Sequence, residues 1–206
     1  LTGGNSPKAL YDMLAESPYK ERIAWNKLHI FWGDERAVPF SDDRNNAKMT
    51  FDHLLNKVPV NPEQVHVMRT DIEPEQSALE YQKMLHTYFG TEGNSFDLVL
   101  SGMGDDGHTL SLFPGTEVIH ETKGWVKAFY LTAQQMYRIT LTAPVVNRAS
   151  SVVFLTFGAN KAKALYEVLE GEPNADIYPS QIIQPASGKL HWFVDEPAAA
   201  LLDKKA

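Results

Sequence analysis

The chain has 206 residues, 43% of them hydrophobic and 22% charged, a length and balance that suit a single soluble globular domain spanning 1–206. Its formal net charge of -7, with no dense basic block, argues against a nucleic-acid partner, because phosphate backbones are held by clustered Lys and Arg. The absence of cysteine excludes disulfides, thiol catalysis and cysteine metal sites, and no apolar run approaches the roughly 20 residues needed to span a bilayer. The first residues do not read as a signal peptide, so the expectation is a cytoplasmic protein that does not engage membranes.

In chain order, residues 7–16 place Leu10, Met13 and Leu14 on one helical face. The run LHIFW (28–32) reads as a strand. Residues 76–89 repeat the helical pattern with Leu79, Met84 and Leu85. FDLVL (96–100), RITLT (138–142) and SVVFLTF (151–157) read as strands. A helix over 161–170 carries Leu165, Val168 and Leu169, Gly171 supplies its stop, and LHWFV (190–194) reads as a last strand. Such alternation predicts an α/β fold, doubly wound, with a mainly parallel sheet and helices on both faces. Ligands then collect beyond the carboxyl ends of the strands. Residues 41–46 (SDDRNN) and 171–180 (GEPNADIYPS) read as surface loops.

Three segments carry chemistry. In TGGNSPKAL, Gly3 and Gly4 lead into Ser6 as helix N-cap and Pro7 as first helical residue, so backbone N–H groups face a glycine loop suited to an anion. The ending G-K-[ST] of a nucleotide loop is missing. In FWGDERAVP, Asp34, Glu35 and Arg36 follow a strand. The guanidinium of Arg36 suits phosphate, carboxylate or a developing oxyanion, and Asp34 or Glu35 would orient it or bind a sugar hydroxyl.

The third segment, SGMGDDGHTLSLFPG (101–115), matches G-x-G-x-x-G at Gly102, Gly104 and Gly107. Asp105 and Asp106 would repel a pyrophosphate there, and Pro114 and Gly115 close the following segment within about two helical turns, so a dinucleotide is not expected. What remains is His108 on a tight turn, a group able to accept a proton near neutral pH. Metal binding by Asp105, Asp106 and His108 is disfavoured, since no second histidine stands at helical ligand spacing.

Together these segments resemble the 6-phosphogluconolactonase family of the pentose phosphate pathway. TGGNSPKAL is similar to its sugar-phosphate loop, FWGDERAVP to its D-E-R segment and FDLVLSGMGDDGHTLSLFPG to its G-M-G-x-D-G-H-T-x-S-L-F-P signature. RITLTAPVVNRAS, FGANKAKAL and HWFVD follow in the family's order, so the likeness spans nearly the whole chain. Thr109 to Pro114 match the lactonases; glucosamine-6-phosphate deaminases carry a run ending in Asn-Glu-Pro. The resemblance implies hydrolysis of 6-phospho-D-glucono-1,5-lactone without metal or organic cofactor. His108 is then the catalytic base, with Asp106 setting its orientation.

The same resemblance implies Arg36 as substrate ligand, Lys161 as a phosphate contact, and a phosphate site on Gly3, Gly4, Asn5 and Ser6, with Asp34 and Gly104 beside the substrate. Backbone N–H groups of residues 102–107 are candidates for the oxyanion. Asn5 and Ser6 stand where the family has Ser-Thr, so an amide replaces one hydroxyl. The family has a strand before this loop, and the chain is expected to lack it. The same residues would also serve a glucosamine-6-phosphate deaminase or sugar-phosphate isomerase, or a non-enzymatic sugar-phosphate sensor.

Overall fold

The computed structural model describes residues 1–90, 93–186 and 188–203. Six α-helices are present among the described residues: α1 (Asn5–Leu14), α2 (Tyr19–Arg22), α3 (Asn46–Thr50), α4 (Pro74–Phe89), α5 (Ala143–Val146) and α6 (Ala162–Leu169). The strands are β1 (Ile30–Phe31), β2 (Asp34–Arg36), β3 (Val65–His66), β4 (Val99–Gly102), β5 (Val126–Leu131), β6 (Met136–Leu141), β7 (Ser151–Thr156) and β8 (Lys189–Val194).

The expected α/β architecture with parallel strands is present. β4, β7 and β8 pair in parallel in the order β4-β7-β8, and β1 pairs in parallel with β3. RITLT departs from this pattern, because it belongs to an antiparallel hairpin, β5–β6, whose second strand also pairs with β2. The Asp-Glu-Arg segment is therefore itself a strand, with Asp34 opposite Thr140 and Arg36 opposite Arg138.

The Leu and Met spacing finds Leu85 and Leu165, which are buried, but misses much of each buried stripe. In α1 the inward stripe is Pro7 and Tyr11, continued by Ala15, while Met13 is exposed. In α4 it is Ala78, Tyr81 and Leu85, and Leu79 is 63% exposed. In α6 it is Ala162 and Leu165, and Leu169 is exposed. Alanine and tyrosine carry these stripes because the helices lie close to the strands: α1 packs on β4 and β7, and α4 on β5 and β6.

Two hydrophobic clusters fill the interior. The larger joins α4, β4 to β7 and α6, around Leu85, Leu112, Phe154 and Leu165. The other gathers Tyr11, Trp25, Trp32, Leu54 and Leu55 beneath α1. An apolar groove of about 460 Å³ runs between β1 and the approach to β4, lined among others by Leu1, Ile30, Trp32, Leu98 and Leu100. At its end Leu1 lies against β1, its amine donating to the carbonyl of Phe31 and its own carbonyl accepting from Gly33 N at 2.8 Å. Tyr11 Oη holds Thr2 through both its N–H and its carbonyl. The entry to the glycine loop is thus anchored on β1 and α1. No helix among the described residues is long and apolar enough to cross a membrane.

Candidate active site

At the carboxyl ends of β1, β4 and β7 the chain leaves a cleft of about 350 Å³. Of the residues singled out from sequence, Gly3, Gly4, Asn5, Ser6, Asp34, Arg36, Gly104, His108 and Lys161 all line it. Asp106 does not form its wall but contacts His108, which does.

The first wall is the start of α1. The helix begins two residues earlier than Ser6 and Pro7 suggest: Gly4 is the N-cap, Asn5 the first helical residue, and no side-chain capping bond is made there. Pro7 fits the third position because first-turn N–H groups have no intrahelical partner. The N–H groups of Asn5 and Ser6 are left at the cleft, where the helix terminus favours an anion.

The second wall is β2 and its neighbours. Glu35 is 0% exposed and accepts from the backbone N–H of Arg36 at 2.8 Å, Asn46 at 2.7 Å and Ala47 at 2.8 Å. Burial pushes its carboxyl up to about 7, against those three donors. Asp34 is also buried, and its Oδ2 accepts from Arg138 Nη2 at 2.6 Å and Ser111 Oγ at 2.7 Å. Arg36 reaches the cleft with Nη1 donating to Asn46 Oδ1 at 2.8 Å and to the carbonyl of Arg44 at 3.0 Å. Burial and the neighbouring Arg138 lower its pKa, opposed by Asp34 and Glu35.

The third wall is the loop after β4. No helix follows the glycines; residues 103–116 form successive turns, joined by a Thr109–Leu112 bridge. Thr109 Oγ1 donates to Gly102 O at 2.9 Å and meets Ser101 Oγ at 2.6 Å, which ties the loop to the strand end. The loop lies against Ser180, whose N and Oγ both donate to the carbonyl of Gly107. His108 Nδ1 meets Asp106 Oδ1 at 2.5 Å. Burial works against the charge of Asp106, yet the hydrogen bond and charge of His108 hold its carboxyl below the usual range.

An ionised carboxylate accepts only, so the bond places a proton on Nδ1, and in the neutral imidazole Nε2 is then the acceptor. Gly104 must be glycine: a Cβ there would overlap the imidazole and the Asp106 carboxylate. Its N–H donates to His108 O at 2.8 Å and that of Gly107 to Gly104 O at 3.2 Å. These two N–H groups are engaged within the loop, which removes them from the oxyanion candidates of residues 102–107.

Lys161 closes the cleft from a 3₁₀ turn (Ala159–Lys161) after β7, together with Asn160 and Phe157. Asp195 steadies this turn by accepting from Gly158 N at 2.9 Å. The cleft also contains Asn46 and Arg138, which the sequence reading did not select. Residues 41–46 are not simply a surface loop: Asn45 caps α3 through Lys48 N, and both asparagines are buried. Pro179 and Ser180, in the segment 171–180, are buried as well. A charged residue within an otherwise apolar strand was the available signal for Arg138. Among the described residues no group of three or more His, Asp or Glu is placed to hold a metal ion.

The arrangement offers a proton acceptor, a cationic rim and a helix terminus around one small polar cleft. A family model described as glucosamine-6-phosphate isomerases/6-phosphogluconolactonase matches residues 1–192. The chain is 41% identical to a 6-phosphogluconolactonase from Synechocystis sp. over 96% of its own length and 81% of that protein's. It is 40% identical to a 6-phosphogluconolactonase from Nostoc sp., with 98% and 83% covered. The solved structure of 6-phosphogluconolactonase from Trypanosoma cruzi superposes with a TM-score of 0.86 at 27% identity, covering 98% of this chain and 83% of that one.

Proposed function

Since the chain belongs to the glucosamine-6-phosphate isomerase/6-phosphogluconolactonase family, we propose that it hydrolyses 6-phospho-D-glucono-1,5-lactone to 6-phospho-D-gluconate, residues 1–206 acting as one catalytic domain of the pentose phosphate pathway. The observation that supports the chemistry best is the Asp106–His108 pair, seated on Gly104 at the wall of a cleft that also holds Arg36 and Lys161.

In this reading the phosphate docks on Gly3, Gly4 and the N–H groups of Asn5 and Ser6, with Lys161 opposite, which fixes the lactone carbonyl relative to His108. Nε2 takes a proton from water as the water oxygen bonds to C1. The carbonyl electrons move onto oxygen to give a tetrahedral oxyanion, held by Arg36. Collapse restores the carbonyl and breaks the bond from C1 to the ring oxygen, which leaves with the proton from the imidazolium. Asp106 keeps the imidazole in the productive tautomer throughout. We infer a cytoplasmic setting from the cysteine-free composition.

The test is acid release from the lactone, corrected for the spontaneous reaction, beside ammonia release from glucosamine 6-phosphate. Lactone turnover without deamination is expected. Deamination without lactone turnover would reverse the assignment, and binding of both sugar phosphates without turnover would make the chain a sensor.

A further inference from the structure

Asn46 is buried at the junction of two walls of the cleft, and its carboxamide has no spare hydrogen-bonding group facing the wrong way. Oδ1 accepts from Arg36 Nη1 at 2.8 Å, and Nδ2 donates to Asp34 O at 2.9 Å. A half-turn of the amide would set Nδ2 against the guanidinium and Oδ1 against a carbonyl, so only one orientation satisfies both partners. The backbone beneath it is equally fixed, because Asn46 N and Ala47 N both donate to Glu35, and Thr50 Oγ1 donates to Asn46 O at 2.9 Å.

The glycine loop rests on the same group. A Cβ at Gly3 would overlap the Asn46 amide, so the loop backbone approaches the carboxamide as closely as glycine allows. One side chain therefore touches both the group that would meet developing charge and the loop that would hold the phosphate. We propose that Asn46 is a positioning residue that sets the Arg36 guanidinium and the Gly3 loop in register with each other. It acts through these two partners rather than on the substrate. The inference rests on the lactonase reading and adds to it a residue on which the distance between the two ends of the substrate depends.

The experiment is a double-mutant cycle on the full chain with Asn46→Ala, Arg36→Ala and the pair, followed by lactone hydrolysis and by calorimetric binding of 6-phosphogluconate. Asn46→Ala should lower kcat/KM about 10- to 100-fold, with the same division between kcat and KM that Arg36→Ala shows, as expected for a misplaced guanidinium. In the Arg36→Ala background the same change should cost less than about 3-fold. Equal losses in both backgrounds, or no loss in either, would overturn the proposal. Should Asn46→Ala fail to give a cooperative melt, Asn46→Ser carries the same cycle. If the unsubstituted chain does not turn over the lactone, the functional reading fails by itself, and the cycle is read in the dissociation constants for 6-phosphogluconate, where coupling still supports the positioning role and additivity rejects it.

Discussion

His108 stacks on Phe113, with ring centroids 4.1 Å apart and planes at 25°, and the Arg138 guanidinium lies over the Phe113 ring, 5.7 Å from its centroid. With the Asp106 bond this leaves the imidazole one ring plane and one edge. Phe113→Leu keeps an apolar filling but removes the flat face, so kcat should fall roughly 10-fold with KM little changed. A steady-state comparison with matched melting curves tests it; unchanged kcat would mean Asp106 alone orients the ring.

Proton transfer through His108 predicts that His108→Ala lowers kcat by about 10²- to 10⁴-fold with the fold intact. Asp106→Asn should lose less, since an amide oxygen can still accept from Nδ1. Retention of the unsubstituted chain's kcat in a folded His108→Ala variant would count against the base.

Lys161 and Arg36 should separate kinetically. If Lys161 meets only the remote phosphate, Lys161→Ala raises KM at nearly constant kcat, whereas Arg36→Ala, beside the developing charge, lowers kcat. Calorimetry with 6-phosphogluconate is decisive for Lys161, because wild-type affinity in its alanine variant removes it from the phosphate site.

The ion pair between Arg138 and Asp34, 2.6 Å long and nearly solvent-free, predicts a large stability effect from a conservative-looking change. Arg138→Met fills much of the same volume yet leaves the Asp34 carboxylate buried with Ser111 and without its counter-charge, which should cost about 3 to 5 kcal/mol in urea unfolding. A loss under about 1 kcal/mol would show that Ser111 suffices for Asp34.

Glu35 makes stability depend on pH in the direction opposite to a surface carboxylate. Its folded-state value, about 7 against an ordinary 4.5, means the folded chain binds the proton more tightly than the unfolded chain. Its contribution is complete below pH 4.5 and is lost as pH rises through about 7, a difference of about 3 kcal/mol. Urea unfolding of the unsubstituted chain and Glu35→Gln should show their stability difference shifting against the unsubstituted chain across this window. A constant difference would mean the three backbone donors keep the carboxylate ionised at every pH tested.

Most of the cleft was legible because its chemistry is local in sequence. Gly3 to Ser6, Asp34 to Arg36 and Asp106 to His108 are short runs whose residue types are unusual where they stand. Asn46 and Arg138 were not legible in this way: the second asparagine of Asp-Asp-Arg-Asn-Asn resembles any loop residue, and its partners lie 10 and 12 positions away, at Arg36 and Asp34. Arg138 meets Asp34 across 104 positions, through an antiparallel pairing that the alternation of strands and helices did not indicate. The helix faces were misread for a related reason. Periodicity counted on Leu and Met overlooks tyrosine and alanine, which here pack against strands while Met13 and Leu79 face outward.

The carbonyl of Gly107 bears on how tightly the turn around His108 is held. Ser180 donates to it from both N and Oγ, so that turn is tied to a segment far along the chain. Ser180→Ala removes one of the two ties, and backbone hydrogen exchange in residues 104–109 should quicken while that of β4 stays unchanged.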